Sequence, residues 1–499
     1  MTLNLPVHIL PDDLARDIWR LNPWWEDKPL PVLPEFKRWP FPRLLRHISS
    51  PMAPALVLRG PRQIGKTTLQ LQLVDHLLES GMKPQRILRV QFDELPGLKN
   101  FKSSEALLRI VDWFEAEIAR RSLNQMARDG QPAILLFDEV QNLDSWDVQT
   151  KFLVDSSTVR VFITGSSALR IEAGRDSLAG RIQTLEVGPL NLYEIASLRK
   201  EESLTPFQAD NGWAEWKQQE FWRELNAFCN INRTALERTF HAFSERGGYP
   251  LAQRDPSQQW SEIADQLVEN VVQRVIQHDL RMGERGRKRD EQLLEEVFRM
   301  ACRYAGQYPS MSLLANEARE KMGANVGPQR INAYLRFLDS SLLVHLVQPL
   351  EIRLKRQRSG PKICLSDHAI RAAWLQEIVP LTQDGLRGTQ TLSTIAGHVV
   401  ESIVGYTLSS LPCIQVAHVP PGGSEPEIDF VITIGDMRIP VEVKYQSRID
   451  PVRDVAGMMK FLDQKANNAA FGLFITQEEC DFGELPIIAV PLKHLLMVK

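Results

Sequence analysis

Residues 56–68 read Leu-Val-Leu-Arg-Gly-Pro-Arg-Gln-Ile-Gly-Lys-Thr-Thr, and this stretch constrains the fold more than any other. Apolar residues precede the glycine-bounded segment and leucines at helical spacing follow it, which predicts a buried strand, a loop and a helix. Gly60, Gly65, Lys66 and Thr67 fit Gly-x-x-x-x-Gly-Lys-[Ser/Thr], the pattern of a phosphate-binding P-loop. Glycines let backbone N–H groups approach phosphates, and the helix that follows presents the positive end of its dipole to them. The sequence therefore predicts nucleotide binding.

The residues of this loop have distinct expected roles at bound ATP. Lys66 would reach the β- and γ-phosphates, and the Thr67 hydroxyl would ligate Mg²⁺. The remaining residues would surround the phosphates with backbone N–H groups. We expect the nucleotide contacts of the loop to be Gly60, Pro61, Gly65, Lys66, Thr67 and Thr68.

Bulk properties narrow the other possibilities. A chain of 499 residues predicts about three or four domains. The net charge of -3 excludes a uniformly basic surface, so a nucleic-acid site would have to be a local patch. The 5 cysteines are far apart, without a Cys-x-x-Cys pair, which argues against a zinc site or a disulfide framework. Because no apolar run approaches the ~18 residues of a membrane span and no signal-peptide pattern is present, we expect a cytoplasmic protein without membrane partners.

Residues 133–139, Ala-Ile-Leu-Leu-Phe-Asp-Glu, form the second element with expected chemistry. A continuous apolar run suits a strand buried on both faces of a parallel sheet. Asp138 at its end would bind Mg²⁺ through water, and Glu139 would orient or deprotonate the attacking water. At this distance after a P-loop, the acidic pair predicts a Walker B motif.

Two further residues have competing interpretations. Ser166 follows the apolar segment 159–163, where a sensor of the γ-phosphate would lie, but its hydroxyl could equally cap the next helix. Arg181 precedes another strand and could act as an arginine finger toward a second subunit. The alternative for Arg181 is a surface salt bridge. A finger acting in trans would require a homo-oligomer.

The segments GPRQIGKTT, ILLFDEV, ITGSSA and LAGRIQTLEVGPLNLYE resemble the AAA-type P-loop ATPases of bacteria and archaea that lie near the STAND signalling NTPases. The resemblance implies an N-terminal extension (1–50), an AAA-type core with a parallel sheet (51–190) and a helical lid (191–256). It also implies that Pro250, in the turn Gly-Gly-Tyr-Pro, contacts the nucleotide, whereas the residues alone indicate only a rigid turn. The Trp- and Pro-rich extension cannot form a core alone, so we expect it to pack on a neighbouring domain.

Residues 257–385 are predicted to be a helical linker followed by a winged helix. A helix over 313–322, a turn and a second helix from Pro328 precede two strands around the basic tip 353–358. The second helix would bury Ile331, Tyr334, Leu335 and Leu338 and expose Arg330, Asn332 and Arg336. This pattern predicts DNA binding, with a protein contact as the alternative.

Four residues form a C-terminal constellation. Glu401 lies on a predicted helix, and Asp429 lies on the first strand of a hairpin whose loop is Gly435-Asp436. Counting back from that loop places Asp429 opposite Glu442, with Lys444 on the same face. Two facing carboxylates repel unless a cation lies between them, and Mg²⁺ would supply that charge. We therefore expect Asp429 and Glu442 to hold Mg²⁺, with Lys444 beside the reacting phosphate.

Glu…Asp…Glu-x-Lys resembles the active site of PD-(D/E)XK phosphodiesterases, which include restriction endonucleases, although Ile428 replaces their usual proline. The resemblance implies a restriction-endonuclease-like α/β domain over 386–499 in which Asp429, Glu442 and Lys444 are catalytic. It also implies that Glu401, as the acid on the helix, joins Asp429 and Glu442 in holding Mg²⁺. A salt-bridged hairpin, or a nuclease fold kept only for binding, are the alternatives.

Together the motifs resemble a prokaryotic family that joins an AAA-type ATPase to a nuclease-like domain of unknown function. The expected protein is an α/β multidomain ATP hydrolase that couples nucleotide state to DNA binding and Mg²⁺-dependent DNA cleavage. Its expected cofactors are ATP and Mg²⁺. The alternative is a STAND-like ATP switch whose C-terminal half is a catalytically inert docking module for protein or DNA.

Overall fold

The computed structural model describes residues 10–49, 53–93, 95–101, 103–165, 178–200, 204–208, 215–279, 291–323, 325–351, 359–387, 390–411, 414–421, 426–446 and 448–498. The chain divides into two compact units, Met1–Val187 and Gly188–Lys499. Each unit is built around a sheet of its own.

The first unit contains a parallel sheet of five strands in the order β2-β3-β4-β1-β5. Its strands β1 to β4 are almost wholly buried because their residues are apolar on both faces. The predicted strand before the P-loop is β1, and the predicted Walker B strand is β3. The five strands are β1 (Ala55–Arg59), β2 (Ile87–Gln91), β3 (Ile134–Asp138), β4 (Arg160–Gly165) and β5 (Ile182–Glu186).

Helices accompany this sheet. The helix after the P-loop is the longest that the structure describes in this unit, and it buries Leu69, Leu73, Val74 and Leu77. The α-helices of the unit are Asp12–Leu21, Phe41–Ser49, Lys66–Glu79, Pro96–Asn100, Ala106–Trp113, Leu123–Arg128 and Trp146–Ser156.

The N-terminal extension packs on the edge strand β2, which confirms the expectation that it needs a neighbouring domain. The buried Asn22 side chain accepts from the Arg89 N–H at 2.7 Å and donates to the Arg89 carbonyl at 2.8 Å. The indole nitrogens of Trp24 and Trp25 both donate to the Ile87 carbonyl. Some backbone N–H and C=O groups of the edge strand β2 therefore have side chains as hydrogen-bond partners. The same side chains cover the edge of the sheet.

The second unit contains a sheet of seven strands in the order β12-β11-β10-β9-β8-β6-β7. β9 and β10 are antiparallel, and β10, β11 and β12 run parallel. The strands are β6 (Val344–Pro349), β7 (Lys362–Leu365), β8 (Gln415–Val419), β9 (Ile428–Ile434), β10 (Met437–Lys444), β11 (Gly472–Thr476) and β12 (Ile487–Pro491).

Some helices of the second unit precede the first strand of this sheet in the chain, and others lie between its strands or after the last one. Within the described ranges, no helix combines the length and the apolar character that crossing a membrane requires. The α-helices are Leu192–Leu198, Gln219–Ile231, Arg233–Arg246, Pro250–Gln253, Trp260–Leu267, Glu291–Arg303, Met311–Met322, Pro328–Ser340, His368–Leu375, Gln383–Leu386, Gln390–Ser409, Ala456–Leu462 and Leu492–Leu495.

The strands expected in two separate domains share one sheet. β6 pairs with β7 as an antiparallel hairpin, and it also pairs in parallel with β8 through Gln348 and Pro349. The sheet therefore continues across the domain border that the sequence predicts between residues 385 and 386. The β9–β10 hairpin has the predicted register, since Ile434 pairs with Met437.

Candidate functional site

The P-loop connects β1 to the helix Lys66–Glu79, and two glycines permit its path. Gly65 has a φ of 90°, in the left-handed region that side chains disfavour, and it directly precedes the helix. A Cβ on Gly60 would collide with the Val187 carbonyl oxygen and with Cδ1 of Ile64. Gly65 is thus required by its backbone conformation, and Gly60 is required by close packing.

The Lys66 ammonium lies within the loop and is buried. It donates hydrogen bonds to the carbonyl oxygens of Gly60 and Pro61, both at 2.9 Å, and lies 4.0 Å from Oε1 of Glu139. Binding phosphate oxygens would exchange the two carbonyl bonds for charge-assisted ones. The structure therefore brings the predicted P-loop lysine next to the predicted catalytic glutamate.

Asp138 ends β3 and is fully buried. Its Oδ2 accepts a hydrogen bond of 2.8 Å from the Thr67 hydroxyl, and its Oδ1 accepts one from the Thr164 hydroxyl. Glu139 follows with a φ of 49°, and its N–H donates to Thr164 Oγ1 at 3.2 Å. The two residues predicted to hold Mg²⁺, Thr67 and Asp138, are in direct contact.

Arg89 is a residue of this site that the sequence reasoning missed. It lies on β2 with its side chain almost fully buried, and its Nη2 atom is 3.0 Å from Asp138 Oδ2 and 2.8 Å from Gln91 Oε1. Isolated arginines are rarely buried unless they are paired. The signal that could have found it is a single arginine inside the otherwise apolar strand Ile-Leu-Arg-Val-Gln.

Two more residues support the site from positions that carry no motif. The buried Arg38 of the N-terminal extension donates from Nη1 to the Ile64 carbonyl of the P-loop at 2.8 Å. Gln141 donates through Nε2 to Oε2 of Glu139. The Arg38 contact joins residues that are distant in the chain, whereas Gln141 lies only two residues after Glu139.

The remaining predicted nucleotide-site residues have these positions. Thr68 lies in the first turn of the P-loop helix. Arg181 directly precedes β5 and forms an ion pair with Asp155, in which both side chains are partly exposed. Ser166 lies outside the described residues. Pro250 begins the helix Pro250–Gln253 of the second unit, and its nucleotide contact stays a prediction.

The C-terminal acids form a second charged cluster, and a lysine missed by the sequence reasoning lies at its centre. Lys362 of β7 is 2% exposed, and its Nζ is 2.9 Å from Oε2 of Glu401 and 2.8 Å from Oδ1 of Asp429. These acids raise the pKa of Lys362 although burial alone would lower it. The sequence signal that could have found Lys362 is a lysine at the start of the short apolar strand Lys-Ile-Cys-Leu.

Asp429 directly precedes Phe430 and Glu442 directly follows Val441, the two residues of the last pair in the β9–β10 register. The Val443 N–H of β10 donates to Asp429 Oδ2 at 3.0 Å. Burial alone would raise the pKa of Asp429, but the Lys362 ammonium holds it below its ordinary value. Burial, and then the Asp429 carboxylate, raise the pKa of Glu442 to about 8 despite the Lys444 ammonium 2.8 Å from its Oε1. The hairpin thus holds two carboxyl groups with pKa values shifted in opposite directions.

The predicted metal donors of this cluster are bonded to lysines. Glu401 and Asp429 both pair with Lys362, and Glu442 pairs with Lys444. Across the described part of the chain, no group of three or more His, Cys, Asp and Glu side chains has the arrangement needed to hold a metal ion. The side chains as arranged therefore do not fit a bound Mg²⁺ at the C-terminal cluster.

Two family models match parts of the chain. Residues 52–196 match a family described as an AAA domain, and residues 237–379 match a domain of unknown function, DUF8612. The first match contains the P-loop, Asp138, Glu139 and Arg181. The second match includes Lys362 but ends before Glu401 and the β9–β10 hairpin.

The chain is also similar to whole proteins. An uncharacterized protein of Methanocaldococcus jannaschii is 23% identical over 376 residues, which are 74% of this chain and 72% of that protein. An uncharacterized protein of Haemophilus influenzae is 19% identical over 319 residues, 63% of this chain and 68% of that protein.

Among solved structures, a Walker-type ATPase of Pyrococcus abyssi has 15% identity and a TM-score of 0.41, covering 70% of this chain and 99% of its own. Drosophila ORC bound to DNA has 15% identity and a TM-score of 0.25, covering 76% of this chain and 95% of its own. TM-scores this low support no conclusion about this chain. The match over residues 52–196, together with the P-loop and the five-stranded parallel sheet, supports an AAA-type P-loop ATPase domain in this part of the chain.

Proposed function

We propose that the first unit binds ATP with Mg²⁺ and hydrolyses it. The observation that carries this proposal is the 2.8 Å hydrogen bond between Thr67 Oγ1 and Asp138 Oδ2, because it joins the two groups that hold Mg²⁺ in P-loop ATPases. Both are hard oxygen donors of the kind that Mg²⁺ prefers. A bound Mg²⁺ would neutralise charge on the β- and γ-phosphates.

Residues of the first unit bind the phosphates, orient the attacking water and position the Asp138 carboxylate. Lys66 exchanges its bonds to the Gly60 and Pro61 carbonyls for phosphate oxygens. Glu139 orients the attacking water and accepts its proton, and the Gln141 amide holds the Glu139 carboxylate in place. Thr164 fixes the Asp138 carboxylate from its second oxygen.

Arg181 is proposed to complete this site from a neighbouring subunit of a homo-oligomer. Support comes from its partial exposure and its place directly before β5. Its present partner, Asp155, is also partly exposed, so the pair can exchange for water or for another partner at little cost.

Phosphate release from ATP tests the first proposal. Lys66→Ala should lose both ATP binding and turnover, since no other residue replaces its charge at the phosphates. Lys83→Ala, which removes an exposed lysine of the same unit, is the matched control and should keep both. Equal turnover in the Lys66 and Lys83 variants would refute ATP hydrolysis at the P-loop.

We propose that the second unit binds DNA through the helix Pro328–Ser340. This helix buries Ile331, Leu335 and Leu338 and exposes Arg330 and Arg336. Helix, turn, helix and the β6–β7 hairpin follow each other in the order of a winged helix, in which the second helix enters a groove. The predicted basic wing tip, residues 353–358, lies outside the described residues.

A salt titration of DNA affinity tests this proposal. Replacing Arg330 and Arg336 with alanine should weaken binding and flatten its salt dependence, since each phosphate contact releases counterions. Replacing the exposed Arg448 and Arg453 with alanine is the charge-matched control. DNA affinity that responds equally to both double variants would mean that this helix is not the binding face.

The ion pairs of the C-terminal cluster favour a second candidate function, an ATP switch whose second unit docks a partner without chemistry. Both acids at Lys362 already share an ion pair with this one lysine. We therefore do not propose strand cleavage at Asp429, Glu442 and Lys444. Incubation with DNA, ATP and Mg²⁺ tests the absence of this chemistry, because a docking module leaves the strands intact while ATP is hydrolysed. Strand cleavage that Asp429→Asn abolishes would contradict it.

A further inference from the structure

The C-terminal charged cluster is assembled around one lysine that comes from outside the predicted nuclease-like segment. Lys362 belongs to β7, whereas Glu401 lies on the helix Gln390–Ser409 and Asp429 on β9. The Lys362 Nζ is 2.9 Å and 2.8 Å from the two carboxylates and lies 4.6 Å from the centroid of the Phe430 ring. The ammonium thus has two anions and an aromatic face around it, which are the surroundings of a bound cation.

The backbone around Lys362 is held on both sides, so its position belongs to the folded core. The Leu365 N–H donates at 2.8 Å to Oγ of Ser402, the residue that follows Glu401 in the helix. The Gly306 N–H donates to the Ile363 carbonyl at 2.7 Å. A Cβ on Gly405 would collide with Cys364 Sγ, so the helix and β7 are in close contact.

The charges require such a cation. Two carboxylates removed from water cannot both stay ionised beside each other without a positive partner. An ammonium group carries three N–H donors, and here two of them reach the two acids. A lysine ammonium and a divalent metal ion are therefore alternative cations that can offset the repulsion between the two carboxylates.

We propose that Lys362 is the resident cation of this cluster, in the place between Glu401 and Asp429 that a divalent metal ion would take. The cluster accepts a divalent cation only when the lysine is removed. Without Lys362, the carboxylates of Glu401, Asp429 and Glu442 supply hard oxygen donors, which suit Mg²⁺ and Mn²⁺. This inference is independent of ATP hydrolysis, so neither result decides the other.

Mn²⁺ binding to the full-length chain, followed by electron paramagnetic resonance of the free ion, tests the proposal. All proteins carry Thr67→Ala and contain no nucleotide, which weakens Mn²⁺ binding at the P-loop. Lys362→Met keeps most of the apolar stem and removes the charge, and we expect it to bind an additional Mn²⁺ at least about tenfold more tightly than the chain with Lys362. Adding Asp429→Asn should abolish that gain, and the exposed Lys460→Met is the matched control without a gain.

Two results would overturn the proposal. One is Asp429-dependent Mn²⁺ binding by the chain that retains Lys362, and the other is a folded Lys362→Met chain without an additional Mn²⁺. If Lys362→Met does not fold, thermal melting of the chain that retains Lys362 tests the proposal instead. With Lys362 present, Mn²⁺ should leave the melting temperature unchanged, and Asp429→Asn should lower it equally with and without Mn²⁺. A Mn²⁺-dependent rise that Asp429→Asn removes would show that the metal, and not the lysine, is the resident cation.

Discussion

The Nη2 atom of Arg89 lies 3.0 Å from Oδ2 of Asp138, the oxygen that also accepts the hydrogen bond of Thr67. A buried guanidinium therefore neutralises part of the charge with which Asp138 would attract Mg²⁺. Because the ion pair is almost fully buried, solvent screens it little. Arg89 and a bound Mg²⁺ would therefore compete for the same carboxylate.

Removing that competition should raise the apparent affinity for Mg²⁺. We expect Arg89→Met to lower the half-saturating Mg²⁺ concentration of ATP hydrolysis by about tenfold, equivalent to ~1.4 kcal/mol. Arg89→Lys retains the charge and is the control that should remain near the wild type. The measurement is turnover at fixed ATP over a range of free Mg²⁺. A half-saturating concentration that rises in Arg89→Met would contradict the competition.

Glu139→Gln should separate ATP binding from hydrolysis. The amide keeps the shape of the side chain but cannot accept a proton from the attacking water, so turnover should fall by about 100-fold or more. Nucleotide affinity should be retained, because Lys66 and the loop backbone make the phosphate contacts. Glu79→Gln, at the exposed end of the P-loop helix, is the control. Normal turnover in Glu139→Gln would remove this residue from the proposed mechanism.

The dependence of ATPase activity on subunit association tests the role of Arg181. If Arg181 acts in trans, specific ATPase activity should rise with protein concentration, and a mixture of Arg181→Ala with Lys66→Ala should regain some turnover. Asp155→Asn breaks the same ion pair without removing the arginine, and it should keep full activity. Equal losses in the Arg181 and Asp155 variants, independent of concentration, would indicate a surface salt bridge only.

Asp429→Asn should destabilise the second unit. The carboxylate pairs with Lys362 at 2.8 Å and accepts the Val443 N–H at 3.0 Å. Losing one partner of a buried pair is costly, and we expect a loss of about 2–3 kcal/mol because Glu401 still neutralises the lysine. As the pH rises toward 8 and Glu442 ionises, the Asp429 carboxylate repels that of Glu442, and relief of this repulsion acts in the opposite direction. Calorimetric melting of the full-length chain measures the balance, and a stability equal to or above that of the wild type would mean that repulsion dominates.

Glu442→Gln should stabilise the protein increasingly as the pH rises. The pKa of Glu442 is about 8 in the folded chain and near 4.5 ordinarily, so the folded state keeps its proton where the unfolded state has lost it. This group's contribution to stability is therefore complete below the ordinary pKa and decreases as the pH rises toward 8. The amide of the variant does not titrate, so the melting temperature of the variant relative to the wild type should increase between about pH 5 and pH 8. A difference that is constant over this range would refute the raised pKa.

Local patterns were sufficient to predict the P-loop, the strand that ends in Asp138 and several elements of the second unit. The P-loop and the strand ending in Asp138 combine a local motif with continuous apolar runs, and strands buried on both faces of a parallel sheet require such runs. The register of the β9–β10 hairpin also follows from its two-residue loop, because one turn determines every pairing behind it. These features depend on residues close together in the chain.

The charged partners inside both units were decided by the tertiary structure. Arg89 and Asp138 are 49 residues apart in the chain and meet only because β2 and β3 are neighbours in the sheet. Lys362 is 39 residues from Glu401 and 67 residues from Asp429, and it reaches them because β7 joins the same sheet as the β9–β10 hairpin. The sequence by itself determined where the acidic side chains would gather. Which cation neutralises them depends on contacts between distant segments, and no local spacing records those contacts.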